Sequence, residues 1–471
     1  MSSVSYSLNR SGPSIGGAID RVAEARPIPG NRVELLQDGP EVYRAMLELI
    51  EGAERRIHFE NYIIRADATG RRFAEALIAR AKAGVEVRVL YDWMGSMGTP
   101  RRYWRALRAG GAEVLAFNRP GFVRLFANLS RDHRKLVVAD DGRAIIGGLC
   151  IGDEWVGDED RKVLPWRDTA VAIDGPAAVR LGQTFGHTWW HAGGSPPEPF
   201  SGQVPVCGTA EVRVLRGEPG RERTYRVLEI LATVCVERLW ITDAYLVPPP
   251  RLFQSLIDAA REGVDIRLLV PGSSDVPWIR NLTRIGYRDM LRGGIRIWEW
   301  EGPMLHAKTL VADGQWTRIG SSNLNASSLL GNYELDVLVQ DPELGARMEA
   351  QFRRDVARSR EVLRRPARVP PRLQRVIPSS LMLEAPDTFP EQHHKSAREV
   401  RRRAVVLMWT LLSGARRSIY GPISLLLVIL AGLFAILPRT MATVFGGLCI
   451  WFGVAAGIEA FRRRQEQPQQ Q

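Results

Sequence analysis

His133-Arg134-Lys135-Leu136-Val137-Val138-Ala139-Asp140 and His306-Ala307-Lys308-Thr309-Leu310-Val311-Ala312-Asp313 are two copies of one pattern, H-x-K-x4-D. The chain has 471 residues and 64 Lys and Arg together, of which only 5 are Lys. Two of those five stand two residues after a histidine. With 7 His in the chain, chance at these frequencies gives roughly a few thousandths of one such motif. Arg is a planar fork, whereas Lys is a compact point charge on a flexible stem. Positions that keep Lys in an Arg-rich chain are therefore suited to gripping a single cluster of phosphate-like oxygens.

The apolar run after each Lys predicts a buried strand. Because strand residues i and i+2 share a side, His133 projects with Lys135 and His306 with Lys308. Outward from the motifs the chain repeats itself. Val33-Glu34-Leu35-Leu36 corresponds to Val212-Arg213-Val214-Leu215, and Ile57-His58-Phe59-Glu60-Asn61-Tyr62 to Trp240-Ile241-Thr242-Asp243-Ala244-Tyr245. Helical patterns ending at Gly84 and Gly263 each precede a strand, Val85 to Leu90 and Val264 to Leu269. Gly110-Gly111 and Gly293-Gly294 stop the next helix of each copy, and Gly147-Gly148-Leu149-Cys150 corresponds to Gly320-Ser321-Ser322-Asn323. Strands alternating with helices predict an α/β fold of two similar domains, each a mixed sheet flanked by helices. Their expected bounds are 31–195 and 208–360, after a disordered N-terminus at 1–30.

A phosphoryl group held between the two copies would meet two imidazoles and two ammonium groups. One neutral imidazole can attack phosphorus while the other, protonated, donates to the leaving alcohol. The lysines stabilise charge on the non-bridging oxygens. A catalytic imidazole needs a carboxylate on its other nitrogen to fix the tautomer. Asp168 in Trp166-Arg167-Asp168-Thr169 and Glu334 in Asn332-Tyr333-Glu334-Leu335 precede strands at comparable places in the two copies. Gly147, Gly148, Gly320 and Ser321 are expected to keep backbone near the phosphate uncluttered, with Ser322 and Asn323 as phosphate donors. Asp140 and Asp313 fall at the far strand ends and are expected to bond turn backbone, a structural role. Tyr62, Tyr245, Glu60 and Asp243 recur at strand ends, where lining the cleft and packing are both open. His58, His187, His191, His393 and His394 lack the motif context and read as structural or exposed.

The formal net charge of +12 suits an anionic partner, nucleic acid or an acidic membrane surface. Cys150, Cys207, Cys235 and Cys449 are scattered, so neither a disulfide framework nor a zinc site is expected. Residues 361–397 read as a basic, Pro-rich linker. Residues 398–417 read as a helix, either interfacial or an ordinary cytoplasmic one. Ser418 to Leu437 and Met441 to Ile458 carry no charge, and each is long enough to cross a bilayer. A transmembrane hairpin over 418–461 is expected. Arg416-Arg417 before it and Arg462-Arg463-Arg464 after it predict that both ends, and the catalytic domains, are cytoplasmic.

The paired motifs, each followed by a Gly-Gly or Gly-Ser step, resemble the phospholipase D superfamily. Gly152-Asp153-Glu154-Trp155 and Gly320-Ser321-Ser322-Asn323-Leu324-Asn325 with Asn332-Tyr333-Glu334 are similar to its bacterial cardiolipin synthase branch. The likeness spans roughly residues 31 to 360. It implies two domains related by a pseudo-twofold axis around one active site, with no metal and no cofactor. It also implies His133 as nucleophile and His306 as acid, then base. The resemblance implies transfer of a phosphatidyl group to a second phosphatidylglycerol with release of glycerol, and with the expected hairpin the reading is a bacterial inner-membrane enzyme whose partners are anionic phospholipids rather than nucleic acid. Hydrolysis to phosphatidic acid is the alternative activity, and nucleic-acid phosphodiester cleavage a further one. Cys150 departs from the pattern, since the family usually has Asn there, as Asn323 is in the second copy.

Overall fold

The apolar run after each motif lysine folds as a strand buried along its whole length. A computed structural model describes residues 15–119, 130–158, 160–196 and 204–363. In chain order they form α1 (Ile15–Ala23), β1 (Ile28–Gln37), α2 (Asp38–Glu51), β2 (Arg56–Asn61), α3 (Ala68–Lys82), β3 (Glu86–Asp92), α4 (Arg101–Ala109), β4 (Glu113–Phe117), β5 (Lys135–Ala139), β6 (Arg143–Gly147), β7 (Thr169–Asp174) and α5 (Pro176–His191). The second half continues with β8 (Ala210–Gly217), α6 (Arg223–Val234), β9 (Arg238–Asp243), α7 (Pro250–Arg261), β10 (Asp265–Pro271), α8 (Pro277–Arg292), β11 (Arg296–Trp300), β12 (Lys308–Ala312), β13 (Trp316–Gly320), α9 (Ala326–Gly331), β14 (Glu334–Gln340), α10 (Pro342–Ala357) and β15 (Ser359–Glu361).

Strand order in the first half is β1-β7-β6-β5-β2-β3-β4, and in the second β8-β14-β13-β12-β9-β10-β11, with β15 added beyond β11. The two orders match strand for strand, and β1 pairs antiparallel with β8, the arrangement a duplication related by a twofold produces. In both halves the strands that follow helical crossovers are parallel (β2, β3 and β4; β9, β10 and β11), while the rest are antiparallel. Long crossovers suit parallel pairs and short turns suit antiparallel ones. At Gly111 and Gly294 the chain turns from helix into strand with φ of +100° and +95°, a conformation open to glycine.

Three cores result. Helices α2, α3 and α4 cover one face of the first sheet around Met46, Phe59, Phe73 and Trp104. Helices α6, α7 and α8 cover one face of the second around Leu228, Ile241, Leu256 and Met290. Between the sheets, Leu136, Ile146 and Val171 share a third core with Ile319, Val311 and Val337, joined by α5 and α10 residues such as Phe185 and Phe352. The motif strands border this shared layer.

The expectation of disorder over 1–30 is corrected from Ile15 onward, where α1 and the first residues of β1 form, while residues 1–14 lie outside the described residues. Ile19 and Ala23, one helical turn apart, dock beside Leu228 and Leu231 of the second half. Arg213 Nε donates to Asp20 at 2.6 Å. The linker (361–397, beyond Leu363), the 398–417 helix and the 418–461 hairpin lie outside the described residues. Among the described residues no helix is long and apolar enough to cross a membrane.

Candidate active site

Each motif histidine sits two residues ahead of its strand, in backbone held by the other half. His133 N–H donates to Tyr333 O at 2.8 Å, and Tyr333 N–H to Arg131 O at 2.8 Å. In the other motif His306 N–H donates to Arg167 O at 2.7 Å, and Arg167 N–H to Met304 O at 2.9 Å. Tyr333 and Arg167 are the residues that precede Glu334 and Asp168. The bridges therefore set each carboxylate beside the histidine of the opposite half.

The side chains complete the exchange. His133 Nδ1 lies 3.1 and 3.0 Å from Glu334 Oε1 and Oε2, and His306 Nδ1 lies 2.7 Å from Asp168 Oδ2. An ionised carboxylate only accepts, so each Nδ1 carries hydrogen and each Nε2 is left with its lone pair. Sequence reasoning had both carboxylates but not which histidine each serves.

Both carboxylates are fully buried. Burial alone would raise them, but the His306 imidazole beside Asp168 and the His133 imidazole beside Glu334 hold both below the usual range. Neutral donors assist. Trp155 Nε1 donates to Asp168 at 3.0 Å and Thr169 N at 2.8 Å. Ser321 Oγ and Ser328 Oγ each donate to Glu334 at 2.5 Å. Trp155, Ser321 and Ser328 were not foreseen as carboxylate donors. Only the match of Ser321 to Gly148 hinted at one of them.

Burial, opposed by Glu334, lowers His133, and the charges of Lys135 and Lys308 add to that lowering. Burial and then Lys308 bring His306 down to about 4, with Lys135 contributing. The cross-half bridges gather all four groups at one site, where each imidazole feels the lysine of both motifs. Lys308, fully buried, is brought down to about 8 chiefly by that burial. Lys135 Nζ and Lys308 Nζ donate to the carbonyls of His133 and His306. The Tyr62 ring meets His133 edge-on at 4.8 Å and lies 5.2 Å from Lys135 Nζ, while Tyr245 takes the matching places beside His306 and Lys308 at 6.0 and 5.7 Å.

The duplicate register differs by one residue from the gapless match. Asn61 pairs with Lys135 and Asp243 with Lys308, so Asp243 is the counterpart of Asn61 rather than of Glu60. The second half then carries one extra residue before its tyrosine. Asp243 accepts from Leu324 N at 2.8 Å and Tyr245 N at 3.0 Å, and burial raises it to about 6.

Two expectations need correction. Ser322, predicted to bind phosphate, is fully buried, and its hydroxyl donates to Asp336, which Arg318 also engages at 2.9 Å. It secures the β13–β14 turn instead. Asn323 keeps an amide whose oxygen is buried without a partner and so retains polar capacity. The glycines admit neighbouring protein rather than open phosphate space: a Cβ on Gly148 would lie 2.2 Å from Asp168 Oδ1, and Cβ atoms on Gly147 and Gly320 would meet the backbone of β7 and β14. Cys150, the counterpart of Asn323, is buried, and burial pushes its thiol up.

Asp140 and Asp313 lie away from the histidines. Asp140 accepts from the N–H groups of Glu54, Arg55 and Arg56 at 2.9, 2.7 and 3.0 Å. Asp313 accepts from those of Val236, Glu237 and Arg238, each at 2.9 Å. Each therefore ties its motif strand to the start of the neighbouring one. Among the described residues no group of three or more His, Cys, Asp or Glu converges to hold a metal ion.

Comparison with known proteins agrees with this geometry. The profile of the family described as "Cardiolipin synthase, PLD-like domain" matches residues 46–154 and 230–356, the two halves in turn. Cardiolipin synthase A of Pseudomonas syringae pv. syringae is 32% identical over 348 residues, which is 73% of this chain and 72% of that protein. Cardiolipin synthase A of Pseudomonas aeruginosa strain LESB58 is 32% identical over 362 residues, 76% of this chain and 74% of that one. Among solved structures, phosphatidylserine synthase from Haemophilus influenzae Rd KW20 superposes with a TM-score of 0.56 at 15% identity, over 74% of this chain and 91% of that one. At that identity the likeness is one of fold. Two family segments on two matching half-sheets, with relatives aligned over most of their length, place this chain in the cardiolipin synthase family of phospholipase D-like proteins.

Proposed function

We propose that this chain is a membrane-associated phosphatidyltransferase of the cardiolipin synthase type. It would move a phosphatidyl group from one phosphatidylglycerol to the glycerol headgroup of another. The observation that carries the reading is the exchange of carboxylates: a half-buried and a buried imidazole, each fixed by the opposite half, present Nε2 lone pairs to one site containing two lysines.

His133 Nε2 attacks phosphorus as the bond to the leaving glycerol oxygen breaks, and protonated His306 gives its proton to that oxygen. His306 then takes the proton of the acceptor hydroxyl, whose oxygen displaces His133 from phosphorus and restores both imidazoles. Lys135 and Lys308 stabilise the non-bridging oxygens throughout. The anionic diester offsets the lysine field that depresses His306, so substrate binding favours the imidazolium that the first step requires. Asp168 and Glu334 orient the rings, Asn323 offers an amide to the phosphate, and Asp140 and Asp313 are structural. The expected partners are anionic phospholipids in a bacterial inner membrane, with the 418–461 segment as anchor and the catalytic halves on the cytoplasmic side.

Purified full-length protein incubated with phosphatidylglycerol vesicles tests the reading. Cardiolipin and free glycerol should appear in equal amounts. Phosphatidic acid as the dominant product, with alcohol acceptor abundant, would instead make the chain a hydrolase.

A further inference from the structure

Arg134 alternates with His133 and Lys135 along the motif, and Tyr333 with Glu334, so both point to the face opposite the imidazole. On that face lies a cavity of about 260 Å³ lined by Arg134, His187, Thr188, His191, Arg216 and Tyr333. The volume holds a tetrahedral oxyanion with some of its water, and falls below the roughly 300–1,000 Å³ of sites for drug-sized ligands.

The lining is positive and under-compensated. Arg134 is buried, yet its guanidinium donates to neutral oxygens: Glu334 O at 3.1 Å, Gly217 O at 3.3 Å and Thr188 Oγ1. The carboxylate of Glu60 stands 4.0 Å off, and Asp132 accepts the backbone N–H of Arg134 at 3.4 Å; burial raises both carboxylates. Glu218, also at the cavity, is engaged by Arg223 at 3.1 Å and Arg221 at 3.5 Å. Burial lowers Arg216, and against the pull of Glu218 the charges of Arg223, Arg134 and Arg180 add to that lowering. Exposed His187 and His191 stand at the rim, with His191 Nε2 3.3 Å from the Tyr333 hydroxyl.

The other half shows what a satisfied version looks like. Behind His306 the guanidinium of Arg167 meets Asp355 at 2.9 and 3.1 Å, and only about 10 Å³ of space remains there. Asp355 belongs to α10, whose counterpart α5 has the same 16 residues and the same leading proline. Along the cavity α5 presents Thr184, His187, Thr188 and His191, none of which is a carboxylate. We infer that the cavity behind His133 is a second anion site, separate from the catalytic one, that takes a phosphate-class oxyanion between Arg134, Arg216 and the rim histidines. Arg134 Nε holds the carbonyl of Glu334, so occupancy bears on the residue that orients His133.

Equilibrium dialysis of the full-length protein against radiolabelled inorganic phosphate tests this without relying on transfer activity. Wild-type protein should bind two phosphates per chain, and the Lys135→Met/Lys308→Met double variant one. Adding Arg216→Gln should weaken the remaining site at least tenfold, and in wild type should leave one site. If Arg216→Gln fails to fold by circular dichroism, the exposed His187→Glu carries the test, with at least fivefold weakening expected. One phosphate per wild-type chain, or a Kd unchanged by these variants, would overturn the inference. Dihexanoyl phosphatidylglycerol, kept below its micelle concentration, identifies the source. In the Lys135→Met/Lys308→Met variant, displacement of the labelled phosphate assigns the remaining site to a lipid headgroup, and no displacement assigns it to free phosphate.

Discussion

His133 and Glu334 stand 201 positions apart in the chain, and 3.0 Å separates Nδ1 from Oε2. His306 and Asp168 repeat the relationship in the opposite direction across 138 positions, at 2.7 Å. Neither half can orient its own imidazole, so the duplication yields one site rather than two.

Glu334→Gln and Asp168→Asn should therefore each impair the histidine of the other half. An amide can donate to Nδ1 and stabilise the wrong tautomer, a change that costs on the order of 10⁴ in rate in a Ser-His-Asp enzyme. Loss of between about a hundredfold and ten-thousandfold in kcat is expected for both variants, with circular dichroism unchanged. Measured turnover within a factor of three of wild type would mean that the exchanged contacts do not serve the chemistry.

Lys308, brought down to about 8 by burial, should impose an alkaline limit. The ammonium is the form that stabilises phosphate charge, so kcat/KM falls as pH rises through about 8. In Lys308→Arg that limb should vanish below about pH 10, because guanidinium stays charged, while the absolute rate drops because the fork replaces a point charge. A limb unchanged in the Arg variant would assign the titration to another group.

Asp140→Ala and Asp313→Ala should destabilise the fold and spare the chemistry. Each carboxylate receives three backbone N–H groups and sits at φ near +50°, 51° and 49° respectively. Asn tolerates that conformation and keeps one acceptor oxygen, whereas Ala loses both features. Each Ala variant should lower unfolding free energy by roughly 1.5–3 kcal/mol, with Asn between Ala and wild type. Denaturant titration reads this, and kcat of the folded fraction should stay near wild type.

Much of this is legible in the sequence. The H-x-K spacing brought each His to the entry of the strand that its Lys begins, and the repeated strand and helix patterns foretold two matching half-sheets. Asp168 and Glu334 stood out by position alone. Their exchange between halves did not, because it depends on bridges such as His133 to Tyr333 that join distant segments. Ser322 was misread because its commitment to Asp336 comes from β14. Helix α1 was missed because nine residues hold a helix only once Ile19 and Ala23 find the second half's core. The slip at Asp243 came from one extra residue before Tyr245, which pattern matching without strand register cannot detect.

The central claim is that His133 attacks phosphorus and His306 handles the protons. A phosphatidyl ester of p-nitrophenol separates the two roles, since that leaving group departs without acid assistance. His306→Asn should release a burst of p-nitrophenol stoichiometric with enzyme and then stall. Mass spectrometry of an alkaline digest should find the phosphatidyl adduct on His133, and His133→Asn should give neither burst nor adduct. An adduct on His306, or a full burst from His133→Asn, would contradict the assignment.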